Sequence, residues 1–360
     1  MNKRLIAYVH APDDPAARFR IGQYVPALRR AGWDVSLRPR RPAQPWLTPW
    51  STPLLQAAHR RIGTVVRRVN RLRDINAANR FDAVFLNRDL LEGQFAYEER
   101  LFRRNPRVVF DFDDAIFLGN RAAHIGRICE RAAWVVAGNE TLACFARQHT
   151  PRVSVIPTTV DTGLYHVGPE RPPADRGPVR VGWIGSPQSI SQTLYPHVEM
   201  LAHLQRELGF EFVIVSRPRP DPPRHGLRWQ YVEWSPEVET RIAEHFDIGI
   251  MPLLDEPFQR GKCGCKLLQY MAAGLPSVAS PVGINRELIG DGERGFTAST
   301  PNEWRHSLAA LLADAGQRHH LGRAGRRFVS THYSVDRWFP ELLAVIEQVS
   351  RQIRSPAEEA

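Results

Sequence analysis

At 360 residues the chain is longer than one ordinary core accommodates, and 43% apolar with 24% charged residues excludes a disordered or fibrous protein, so two globular domains are expected. No apolar run reaches the eighteen residues that a membrane span needs, and the N-terminal apolar run is only strand-length, which argues against a transmembrane helix and a signal peptide. The net charge of +10 calls for an anionic partner such as a phosphorylated small molecule or a lipid headgroup; no nucleic-acid-binding module is legible, so nucleic acid is set aside.

Four cysteines at unpatterned spacing suggest reduced thiols and a cytoplasmic protein. Cys263 and Cys265 form a C-x-C without a second ligand cluster, so no metal site is expected there.

In chain order, residues 4–10 read as a strand, 21–31 as a helix stopped by Gly32, and 34–38 as a return strand, a βαβ unit of a parallel sheet. The first loop of such a unit lies at the carboxyl edge, where ligands bind, which makes Arg18 and Arg20 candidates for contact with a phosphate of either an acceptor or a donor ligand. Arginines at a helix N-terminus oppose the dipole, and that favours function. Residues 39–53 are proline-rich and carry Trp46 and Trp50, and a basic helix follows over 54–78. Its apolar stripe fits packing on the sheet; its arginine face beside the tryptophans fits contact with anionic lipid at the inner face of a membrane.

Strands at 81–87 and 107–112 flank a polar helix over 93–103. The second strand ends in Asp111, Asp113 and Asp114, more carboxylates than a turn cap requires. They could accept sugar hydroxyls, act as a base or hold a divalent ion. Strands at 134–138 and 152–156 enclose a helix over 140–149, with Asn139 placed either to cap that helix or to face a cleft.

The proline-dense segment 166–178 is the expected linker between a first domain, 1–165, and a second, 179–330, with 331–360 as a final helix and tail. In the second domain, strands at 179–184, 210–216, 227–231 and 246–252 alternate with helices at 191–208 and 236–245. Helices at 299–313, 318–329 and 335–351 close the chain.

Residues 260–282, RGKCGCKLLQYMAAGLPSVASPV, organise the rest. Glycines at 261 and 264 lead into a helix from Cys265, Gly274 and Pro276 stop it, and 277–280 form a buried strand. Of 48 basic residues only three are lysines, Lys3, Lys262 and Lys266, and two of them lie four apart at this helix entrance. Glycines, a helix N-terminus and compact ammonium charges are what a phosphate requires.

Together the stretches VVAGNETLACFA, VIPTTVDTGLY, VGWIGSP, DIGIMPL and KLLQYMAAGLPSVASPVGINRELIGDGERGF resemble retaining glycosyltransferases of the GT-B architecture, the group 1, family-four-like set that includes sucrose synthase-like and mannosyltransferase-like enzymes. The resemblance implies an α/β fold of two Rossmann-like domains with a central cleft and a C-terminal helix crossing back to the first domain. It implies a nucleotide-sugar donor held by the second domain and a glycan, lipid-linked or small-molecule acceptor held by the first. Transfer of a hexose to a hydroxyl, with retention, is expected to need neither cofactor nor metal.

On this resemblance Lys262 and Lys266 neutralise the diphosphate, with backbone N–H groups around Gly185 and Ser186 and around Gly283 and Ile284. Asp113 faces the donor sugar or acceptor hydroxyl, with Asp114 beside it. Gln269 stands where the family places a ribose-binding glutamate, and Gly261 where it places a glutamate for the donor sugar. Glu287 contacts the nucleotide or compensates a helix dipole. The two missing acids also support a second reading, a non-catalytic GT-B subunit that binds a nucleotide or a partner transferase.

Overall fold

The computed structural model describes residues 3–40, 65–66, 68–91, 94–168, 177–221, 225–290 and 292–352. The tryptophan-bearing part of the 39–53 segment, the first half of the basic helix, most of the linker and the final tail lie outside the described residues.

β1 (Lys3–Val9), β2 (Trp33–Pro39), β3 (Ala83–Asn87), β4 (Val108–Phe112), β5 (Trp134–Ala137) and β6 (Val153–Val155) form one parallel sheet in the order β2-β1-β3-β4-β5-β6. β1, β3 and β4 are near-continuous apolar runs and are buried, as strands covered on both faces must be. The chain runs outward from β1 to β2, then returns to the other side of β1 with β3. That reversal makes a crevice at the carboxyl ends of β1 and β3.

β7 (Arg180–Ile184), β8 (Glu211–Ser216), β9 (Gln230–Glu233), β10 (Ile248–Met251), β11 (Ser277–Ala279) and β12 (Gly295–Thr297) form a second parallel sheet in the order β12-β11-β10-β7-β8-β9. The reversal here falls between β7 and β10. Gly182 and Gly249 sit on these two strands because a Cβ would lie 2.1 Å from the Phe246 ring and 2.4 Å from the Tyr270 ring. The Tyr270 hydroxyl accepts from Ile184 N and donates to Ile250 O, both at 3.2 Å, which ties the helix Cys265–Ala272 to both strands.

Several expected elements differ. The first helix begins earlier, at Pro15, because Asp14 caps it and Pro15 suits its first turn; it breaks at Ile21, and a second helix covers Val25–Arg30. Arg18 and Arg20 therefore lie in a last turn, where the dipole favours cations, and not at a helix entrance. The helix expected over 191–208 is a helical turn Pro187–Ser189, an irregular stretch and a regular helix Val198–Leu208, because Pro196 cannot donate to the ladder. Helix Ala122–Arg131 and the short edge strand β12 were not foreseen.

The chain divides into a unit of residues 1–157 with 339–360 and a unit of residues 158–338. The first boundary falls after Pro157 and not at 165, since the intervening residues are built into the second unit. Val160 N donates to Tyr333 O at 2.9 Å, the Tyr165 hydroxyl donates to Glu239 at 3.2 Å, and Arg326 donates to the carbonyls of Thr162 and Tyr165, each at 3.1 Å. The last helix, Val335–Ser350, starts in the second unit, and from Phe339 its residues belong to the first.

Candidate functional site

In the second unit the loops after β7 and β10 meet at the strand-order reversal. The β7 loop is Gly185, Ser186 and the turn Pro187–Ser189, capped by Ser186 Oγ accepting from Ser189 N at 3.2 Å. The β10 loop ends at Gly264, whose φ of 66° and closeness to Leu288, 2.3 Å from a Cβ placed there, demand glycine before the helix can start. That helix buries Leu267, Leu268, Tyr270 and Met271 completely and presents Lys266 at its first turn.

Lys266 Nζ donates to Ser189 Oγ at 3.0 Å and stands 4.9 Å from the centre of the buried Trp183 ring. Its stem runs past Gly185, where a Cβ would meet Lys266 Cε at 3.1 Å and the Trp183 ring at 2.5 Å. Lys262 Nζ lies 4.9 Å over the Phe258 ring. Since the helix begins at Cys265 after a left-handed glycine, Lys262 is a loop residue and does not share a helical face with Lys266. The Gly185 N–H, expected to meet a diphosphate, donates instead to Val215 O at 3.0 Å, because Gly185 continues the strand ladder.

Gly283 has φ 56°, and a Cβ there would lie 2.6 Å from Arg260 O, so it lets the turn after β11 pass close to the lysine loop. Ile284 precedes the helix Asn285–Ile289, in whose first turn Glu287 is exposed and accepts from the Tyr333 hydroxyl at 3.2 Å. Gln269 is 5% exposed, within the helix that carries Lys266. Gly261 caps the preceding short helix, Pro257–Arg260, through its backbone.

In the first unit the carboxylates separate into two groups. Asp111 is fully buried, held by Arg20 through contacts of 2.6, 3.1 and 3.2 Å and by Asn87 Nδ2 at 2.8 Å. Arg20 also donates to Ile156 O at 2.8 Å, so this arginine is taken up inside the domain, while Arg18 stacks over Phe19. Asp113 and Asp114 are partly exposed and share Arg88, whose Nε and Nη2 reach Asp113 at 3.1 and 2.8 Å and whose Nη2 reaches Asp114 at 2.7 Å. Burial works to raise the Asp113 carboxyl, but the Arg88 charge, then Arg20 and the Arg88 hydrogen bond, outweigh it and hold it below its ordinary value. Asn139 caps the helix Glu140–Arg147 by accepting from Leu142 N at 3.0 Å.

Sequence reasoning missed Arg88, Asn87, Ser189 and Trp183. The signal for Arg88 lay in its place, since it directly follows the strand that neighbours β1 at the reversal. Among the described residues no group of three or more His, Cys, Asp or Glu is placed to hold a metal ion, and no helix is long and apolar enough to cross a membrane.

Residues 179–314 match the family model described as Glycosyl transferases group 1. This match lies within the second unit. Over 173 residues the chain is 29% identical to a D-inositol 3-phosphate glycosyltransferase of Xylanimonas cellulosilytica, a match covering 44% of this chain and 40% of that protein. Among solved structures, a sucrose-phosphate synthase from Thermosynechococcus elongatus superposes with a TM-score of 0.73 at 17% identity, covering 96% of this chain and 99% of that one. Anabaena HepE in complex with UDP and glucose does so with 0.64 at 14%, covering 96% and 100%. Such identities establish the fold: it is GT-B, two Rossmann-like domains.

Proposed function

We propose that the protein transfers a hexose from a nucleoside diphosphate sugar to a hydroxyl acceptor with retention of configuration. The observation that carries this reading is Lys266, a cation fixed by Ser189 and Trp183 at the strand-order reversal of the second sheet. A departing diphosphate needs preorganised positive charge there, and Lys262 on the adjoining loop supplies a second ammonium. The Anabaena protein, solved with UDP and glucose, supports a nucleotide-sugar donor for this fold.

In the first unit Asp113, kept ionised by Arg88, serves as an acceptor for a sugar or acceptor hydroxyl. No protein nucleophile is invoked: the attacking hydroxyl passes its proton to the leaving phosphate, so positioning and charge neutralisation supply the rate. The test is nucleotide release and product formation from UDP-, GDP-, ADP- and dTDP-sugars, with the anomeric configuration read by NMR. Lys266→Ala is expected to lower turnover roughly 100-fold. Full activity of that variant would contradict Lys266 as the diphosphate site, and activity found only with an added partner transferase would favour the non-catalytic reading that Gly261 and Gln269 suggest.

A peripheral contact with an anionic membrane is the second part of the proposal. Within the described part of the basic helix Ile75 is buried, but Val65, Val66 and Val69 are exposed and so do not pack on the sheet. They share a helical face suited to the lipid interface. Co-sedimentation with phosphatidylglycerol vesicles tests this, and equal recovery with phosphatidylcholine alone contradicts it.

A further inference from the structure

Arg88 has no part in the reaction as proposed beyond its charge. It follows β3 at the reversal of the first sheet and holds φ 59°, a left-handed conformation that glycine adopts freely and arginine only against steric cost. Its backbone N–H donates to Asp111 O at 2.7 Å while its guanidinium spans Asp113 and Asp114. An independent feature lies beside it. Asn87, 2% exposed, gives its Nδ2 to Asp111, but its Oδ1 is buried with no partner among the described residues, an unused acceptor in the same cluster.

The charges around Arg88 also discriminate. Among the described residues the guanidiniums of Arg20 and Arg88 face Asp111, Asp113 and Asp114, with Asp14 in electrostatic reach of Arg88. A phosphate would meet the partly exposed carboxylates of Asp113 and Asp114, whereas hydroxyls can donate to them.

We propose that Arg88 is a positioning residue of the transfer reaction, holding Asp113 and Asp114 as hydrogen-bond acceptors for the hydroxyls of an uncharged acceptor. This rests on the glycosyl-transfer reading above. A planar fork is needed because one guanidinium nitrogen serves both carboxylates while a second nitrogen fixes Asp113, which a lysine ammonium cannot reproduce.

The test uses the full-length protein and Arg88→Lys, Arg88→Gln and Arg88→Gly, the last of which relieves the backbone while removing the cation. Calorimetry with UDP and GDP reports the donor domain, and every variant is expected to bind as wild type does. Transfer is measured to uncharged acceptors (water, octyl glucoside, sucrose, myo-inositol) and to glucose 6-phosphate. The wild type is expected to prefer the uncharged set. Arg88→Gly and Arg88→Gln are expected to lose roughly 100-fold in kcat and Arg88→Lys roughly 10-fold.

The acid limb of the pH–rate profile should move upward in Arg88→Gln, and a carbon-13 titration of labelled aspartates should show Asp113 moving with it. Arg88→Gly within about threefold of wild type, an unmoved Asp113 titration, no transfer to any uncharged acceptor, or preference for glucose 6-phosphate would each overturn the proposal. A wild type that neither binds a nucleotide nor transfers a sugar would overturn the underlying reaction, and this proposal with it.

Discussion

Arg20 and Asp111 close on each other 91 residues apart in sequence, with contacts of 2.6, 3.1 and 3.2 Å and side chains that expose 2% and 1% of their surface. A pair this deep stabilises little against an apolar replacement, yet removing one partner strands a buried charge. Arg20→Met is expected to lower unfolding free energy by about 3–5 kcal/mol, and Arg20→Met/Asp111→Asn to recover part of it. Urea denaturation of the wild type, Arg20→Met, Asp111→Asn and the double variant checks this; additive losses would show that the pair is not coupled.

Glu98 gives the first domain a pH dependence. Leu90 N donates to its Oε1 at 2.6 Å, while Oε2 is buried with no partner among the described residues. Burial pushes its carboxyl from 4.5 up to about 7, against the opposing Leu90 N–H and the nearby His124 charge, with Asp89 adding to the rise. A raised carboxyl pKa means that the folded state holds the proton longer than the unfolded chain. Stability therefore declines as pH rises from about 4.5 to about 7 and then levels off, by about 3 kcal/mol at most. Glu98→Gln should melt with the wild type near pH 4.5 and above it at pH 8. A variant that is less stable at pH 8 would contradict the assignment.

Gly322 is set by contact, not by conformation. A Cβ there would lie 1.9 Å from Gly274 O, where the helix Ala315–His332 rests on the turn that ends the lysine-bearing helix. Gly322→Ala is expected to cost about 1–3 kcal/mol, and Gly177→Ala, with open space around it, close to nothing. Thermal denaturation of both variants separates the two cases.

Much of the fold was legible because its signals are local. Apolar runs such as LIAYV and VVF, short and rich in branched and aromatic residues, read as buried strands, and Gly274 with Pro276 marks a helix end without tertiary information. The broken helix after Ser186 was missed although Pro196 marks it, because the periodic apolar pattern on either side of the proline reads as one helix. In the site, Lys266 stood out by its rarity in an arginine-rich chain. Its partners did not, because Ser189 is 77 residues away and chain order says nothing of that approach. The same holds for Arg20, whose role depends on Asp111, and for Arg88, which reads as any loop arginine until the strand order is known.

Gly185 limits the space beside Lys266. With Trp183 2.5 Å and Lys266 Cε 3.1 Å from a Cβ placed there, Gly185→Ala must displace the lysine or the ring. The expected outcome is roughly tenfold weaker nucleotide binding, about 1.4 kcal/mol, measured by calorimetry. Unchanged affinity would place the diphosphate elsewhere.

Sugar transfer as proposed requires nucleotide binding at Lys262 and Lys266. The deciding measurement is the melting temperature of the wild type and of Lys262→Ala/Lys266→Ala with UDP, GDP, ADP or dTDP, with and without magnesium. A ligand at about 100 times its Kd stabilises the native state by ~2.7 kcal/mol. The expected result is a rise in melting temperature with one of these nucleotides in the wild type and none in the double variant. Equal responses in both proteins, or no response to any nucleotide in the wild type, would contradict the donor site.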